Sequence, residues 1–108
     1  MKKKMAPDHQ MYERQANICK AFANPTRLHL IAMLEEKDRW ASELQEGLSI
    51  SKANLSQHLS ILRAAGIVST RREGKQLYCK LAMPEVRKAM ALFRGMVKAQ
   101  ARDSRRWM

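Results

Sequence analysis

The chain has 108 residues, enough for one hydrophobic core and too few for two, so a two-domain reading is excluded. Hydrophobic residues at 45% exclude a disordered tail, while 6% aromatics and four glycines count against a strand-rich barrel or sandwich. Twenty-one Lys and Arg against ten Asp and Glu give a formal charge of +11, which calls for a polyanionic partner, nucleic acid first and an anionic membrane surface second.

In chain order, Met1-Lys-Lys-Lys-Met5 is followed by Ala6-Pro7-Asp8-His9-Gln10 and not by an apolar signal core. No apolar run approaches the roughly 18 residues of a membrane span, so a cytoplasmic protein without a membrane partner is expected. A first helix is predicted from about Asp8 to Phe22, with Met11, Ile18 and Phe22 on one face. Asn24-Pro25 restarts the chain as N-cap and first helical residue, and a second helix runs to about Glu36. Trp40 lies in a short connection before a helix over Ala41–Glu46, which Gly47 ends. Ser51 then caps a helix over Lys52–Ala65, where Leu55, Leu59 and Leu62 form the apolar stripe and Gly66 is the stop.

Residues 67–72 and 75–81 are β-leaning runs joined at Glu73-Gly74, a hairpin turn. Pro84 opens a last helix to about Ala101 with Val86, Ala89, Met90, Phe93, Met96 and Val97 along one stripe. The whole reads as one domain over residues 1–108, mainly α with a small β-hairpin: a winged helix-turn-helix of five helices and a two-stranded wing. Residues 1–7 and 102–108 are expected to be frayed basic ends.

Charge is uneven along this order. Glu35, Glu36, Asp38, Glu43 and Glu46 hold half of the acids, whereas residues 49–80 carry a net +5. On the helix after Ser51 the leucine stripe faces the core, which turns Ala53, Ser56, Gln57 and Ser60 outward. Gln57 is the leading base reader, because its amide can pair bidentately with adenine; Ser56 and Asn54 can serve bases or phosphates. Arg71, Arg72 and Lys75 straddle the hairpin tip, where they can reach phosphates or a narrow minor groove, and Lys52 is a phosphate candidate at the first helical turn. Arg63 either meets phosphate or stabilises the helix C-terminus. His58, at the edge of the stripe, either donates to phosphate or completes the packing beneath the helix.

Four strings carry a specific resemblance: Ala23-Asn-Pro-Thr-Arg-Leu28, Ser49-Ile-Ser-Lys-Ala-Asn-Leu-Ser-Gln-His-Leu59, Leu62-Arg-Ala-Ala-Gly-Ile-Val68, and Arg71-Arg-Glu-Gly-Lys75 with Leu77-Tyr78. In that order and spacing the chain resembles the ArsR/SmtB family of transcriptional repressors over about residues 20–81. The resemblance implies a homodimer, built mainly from first and last helices, that releases a DNA operator when an inducer arrives; it also places His58 near DNA. Met11, Ile18, Phe22, Val86, Met90, Phe93 and Val97 are the expected dimer contacts.

The sensor regions depart from that family. Where many members place two cysteines before the recognition helix, this chain reads Asp38-Arg-Trp-Ala-Ser-Glu-Leu44, and Trp40 and Ser42 are not soft-metal ligands. Residues 84–108 hold no histidine or cysteine, so no metal and no cofactor are expected. His9 and His29 read as surface residues, and the methionines as interface filler. The remaining candidates for redox sensing are Cys19, beside Lys20, and Cys79, whose place in the strand alternation reads as a small buried hydrophobe. The expected function is a repressor acting on double-stranded DNA at an inverted repeat. A non-inducible architectural DNA- or RNA-binding module is the alternative, and an adaptor binding through its basic ends a third. No paired carboxylates, Ser/His/Asp set or phosphate-cradling glycine loop suggests an enzyme.

Overall fold

The structure is a computed structural model that describes the backbone of residues 5–107 and the side chains of residues 8–103. Eight elements follow in chain order: α1 (Met5–Phe22), α2 (Pro25–Glu36), β1 (Arg39–Trp40), α3 (Ala41–Leu48), α4 (Lys52–Ala64), β2 (Val68–Glu73), β3 (Gln76–Leu81) and α5 (Glu85–Trp107). Five helices and the hairpin stand where the sequence places them, and the order is that of a winged helix-turn-helix. Residues 5–7 and 102–107 carry helical backbone, and residues 1–4 and 108 lie outside the described residues.

Local chemistry explains most boundaries. The Asn24 side chain accepts from the Arg27 backbone N–H at 3.0 Å, and Pro25 supplies the first helical residue of α2. At the hairpin, Gly74 takes φ +64, which an L side chain resists, and the strands pair antiparallel from Val68↔Leu81 to Glu73↔Gln76. Gly47 corrects the expectation that it ends α3. It lies inside the helix, beside the flexible end of the Met33 side chain of α2. The left-handed residue that ends α3 is Ser49, at φ 55.

The sheet has one strand more than expected, in the order β1-β3-β2. Arg39 and Trp40 pair with Cys79 and Tyr78, which ties the entrance of α3 to the wing. Beneath it lies a core of Leu30, Ile31, Leu34, Leu44, Leu62, Ile67 and Cys79, each no more than 1% exposed. Every aliphatic side chain buried there contributes about 1.5–3 kcal/mol relative to exposure.

The stripe expected to face a partner divides in two. Phe22, Val86 and Met90 are buried in the protomer's own core, and Phe93 stands edge-on to Phe22 at 5.2 Å. These four of the expected dimer contacts pack within the protomer, Phe93 only in part, since α5 must first pack on its own domain. Met11, Ile18 and Val97 remain exposed, joined by Tyr12, Leu92 and Met96. An ion-pair clamp holds α5 in place: Arg94 donates to both carboxylate oxygens of Glu35 at 3.0 and 2.9 Å, and Arg87 donates to the Glu35 carbonyl.

Candidate nucleic-acid interface

Helix α4 owes its register to the leucine stripe. With Leu55, Leu59 and Leu62 buried, Lys52, Ala53, Asn54, Ser56, Gln57 and Ser60 are all exposed, as the helical period requires. The Ser51 hydroxyl accepts from the Asn54 backbone N–H at 3.1 Å, which fixes the first turn. Ile61, at 43% exposure one turn beyond Gln57, also stands on this surface. Sequence reasoning missed it, although its place off the stripe was the available signal.

Between α3, α4 and the wing opens a cleft of about 380 Å³. Lys52, Ser56, Arg63, Arg72 and Lys75 line it, and none of its lining residues is acidic. Thus two cations of α4 and two of the wing converge beside the exposed face of α4. The Arg63 guanidinium donates to the Thr70 hydroxyl at 3.1 Å, so it bridges α4 to β2 at the edge of that cleft.

Strand alternation separates the two hairpin arginines, which the sequence treated alike. Arg72 pairs with Leu77 and turns to the cleft, whereas Arg71 pairs with Tyr78 on the opposite face. There its guanidinium lies 4.9 Å from the Tyr78 ring centroid and donates to Glu73 at 2.6 Å. Tyr78 in turn meets Trp40 edge-on at 4.8 Å, completing a ladder across three strands.

His58 is half-buried and faces Arg27, whose Nη1 lies 3.2 Å from its Nδ1. Burial, and then the neighbouring Arg27 charge, lower its pKa from the ordinary 6.5. Arg27 also donates to the carbonyls of Ala21 at 2.7 Å and Lys20 at 3.1 Å, closing the end of α1. Sequence reasoning assigned Arg27 no role, because its partners come from α1 and from a helix 31 residues away.

A family model described as "Bacterial regulatory protein, arsR family" matches residues 24–70, which run from the cap of α2 into β2. The HTH-type transcriptional regulator Rv0081 of Mycobacterium tuberculosis is 34% identical over 88 residues, covering 81% of this chain and 77% of the relative. The chain belongs to the arsR family. Its fold matches the crystal structure of that regulator with a TM-score of 0.80 at 32% identity, over 87% of this chain and 95% of the other. It also matches the solution structure of a homodimeric winged helix-turn-helix DNA-binding domain from Mycobacterium bovis, with a TM-score of 0.79 at 25% identity, over 90% and 89% of the two chains. A biofilm growth-associated repressor of Agrobacterium fabrum is 45% identical over 67 residues, 62% of this chain and 57% of the relative. The family consists of DNA-binding transcriptional regulators, in agreement with the expectation that the chain is not an enzyme.

This arsR-family chain keeps its two thiols apart. Cys19 is exposed on α1; Cys79 is fully buried in β3, where burial pushes its thiol up to about 11 against a weaker opposing effect of Arg63. Such burial disfavours the thiolate of Cys79. No group of three His, Cys, Asp or Glu converges among the described residues. Where the family's cysteines would precede α3, Trp40 is committed to Tyr78 and its backbone N–H donates to Glu43 at 2.8 Å. No helix among the described residues is long and apolar enough to cross a membrane.

Proposed function

We propose that the chain is a homodimeric repressor that binds an inverted-repeat operator, with Gln57 reading bases, aided by Asn54, Ser56 and Ser60. Lys52, Arg63, Arg72 and Lys75 anchor phosphates. The observation that carries this reading is the acid-free cleft between α4 and the wing, where four cations meet beside a polar helix face. A duplex backbone is a line of regularly spaced anions, and such a cleft follows it while the helix enters the major groove.

Dimerisation is supported by surface area as well as by the homodimeric relative. The protomer exposes 8017 Å², whereas a monomer of this mass exposes about 6,200 Å². The excess is of the size that two-fold partners cover. Selection of bound duplexes from a random-sequence pool tests the reading. Enrichment of an inverted repeat with half-sites about 34 Å apart is expected; a pool that enriches no duplex overturns it.

We infer that the inducer is not a metal such as zinc, since tight binding needs several converging ligands and no group of three His, Cys, Asp or Glu converges among the described residues. If thiol chemistry is the signal, exposed Cys19 carries it. Release of the operator by one equivalent of zinc, or by oxidant in a Cys19→Ser protein, would refute this assignment.

A further inference from the structure

Arginine has donors only, so the 3.2 Å contact between Arg27 Nη1 and His58 Nδ1 leaves one chemical possibility. Nδ1 is the acceptor, the ring is neutral, and its proton sits on Nε2. That second nitrogen has no protein partner among the described residues and is not sealed from solvent. It leaves α4 on the flank of Asn54 and Ile61, which are four residues before and three after His58 and are both exposed. The same guanidinium holds the carbonyls of Lys20 and Ala21, so it is anchored from α1 and cannot swing freely.

We infer that Arg27 is a positioning residue for DNA binding: it holds His58 as the neutral tautomer whose outward Nε2–H donates to the DNA backbone beside α4. The inference rests on the DNA-binding reading above. Arg27 itself does not reach the nucleic acid. His58 gives a directed hydrogen bond without a charge, in contrast to the four cations of the cleft. Among the described residues Arg27 is the charged group acting on the imidazole, with α1 contributing backbone carbonyls to Arg27 and no ionised side chain.

Ring-nitrogen NMR of the free protein at neutral pH tests the first half. In the wild type His58 should show one tautomer, with Nδ1 bare and Nε2 protonated; Arg27→Met should give a mixture. Binding to the duplex enriched from the pool tests the second half. Arg27→Met is expected to weaken it about three- to tenfold, the range of one hydrogen bond. In His58→Gln the amide nitrogen stands in for Nε2, and adding Arg27→Met to that background should change affinity less than twofold. Arg27→Lys, which cannot make the forked contact, provides the comparison if the methionine variant unfolds. Equal losses in the wild-type and His58→Gln backgrounds would show a merely structural arginine and overturn the inference. So would a tautomer indifferent to Arg27. If no duplex is enriched, the DNA-binding reading falls and takes the second half with it, whereas the tautomer result is obtained without DNA.

Discussion

Two side chains of the proposed interface differ in what they ask of the DNA. Gln57→Ala should narrow the gap between operator and random duplex by about 1–3 kcal/mol per half-site, while Arg72→Ala weakens both alike and flattens the salt dependence. Arg71→Ala should do neither, because its guanidinium is engaged with Glu73 and Tyr78 on the far face of the wing. Titration of affinity against salt on both duplexes separates the three. Cys79 makes a second prediction. Its folded pKa of about 11 lies above the ordinary 9.0, so its contribution to stability is complete below pH 9 and is lost as pH rises toward 11. The loss is about 2–3 kcal/mol, measurable by denaturant unfolding across that window and absent in Cys79→Ala. Cys79 was legible in the sequence from strand alternation alone. Arg27 was not, since a guanidinium 31 residues from its imidazole leaves no periodic trace.

Among the elements, α5 depends on a single carboxylate. Glu35→Gln would leave Arg94 without its bidentate partner and loosen the seat of α5 on α2. Sedimentation should then show a dimer dissociating at severalfold higher concentration, and a wild type that approaches the variant as salt is raised. The helices themselves were readable because their signals are local: Asn24-Pro25, Ser51 and the leucine spacing each act within a turn. β1 was not readable. Two residues cannot display an alternating pattern, and Arg39 and Trp40 become a strand only because β3 lies beside them. The acids of residues 35–46 looked like one charged block, yet Glu35 clamps α5, Glu36 meets Arg39 at 2.5 Å and Glu43 caps α3. Each role was set by a neighbour that composition cannot name.

For the whole molecule, the radius of gyration of 16.7 Å exceeds the roughly 13 Å of a compact chain this long, as terminal helices projecting from a small core would require. Met96→Glu should place a charge on the exposed apolar stripe that Met96 shares with Leu92 and Val97 and yield a folded monomer by light scattering, with operator affinity lowered at least about a hundredfold. A variant that remains dimeric would move the interface elsewhere. The apolar stripe of α5 announced a partner in the sequence; which of its residues serve the protomer depends on packing, and Val86 and Met90 are buried within it. The pairing of β1 with β3 has a further consequence, in the order of synthesis. It joins Arg39–Trp40 to Tyr78–Cys79, and so closes a ring of about forty residues around the helix-turn-helix. A nascent chain that has just exposed Leu62 still lacks about twenty residues before β3 is finished at Leu81. At 5–20 residues per second the leucine face of α4 waits about one to four seconds for its cover, long enough for a chaperone to find it first.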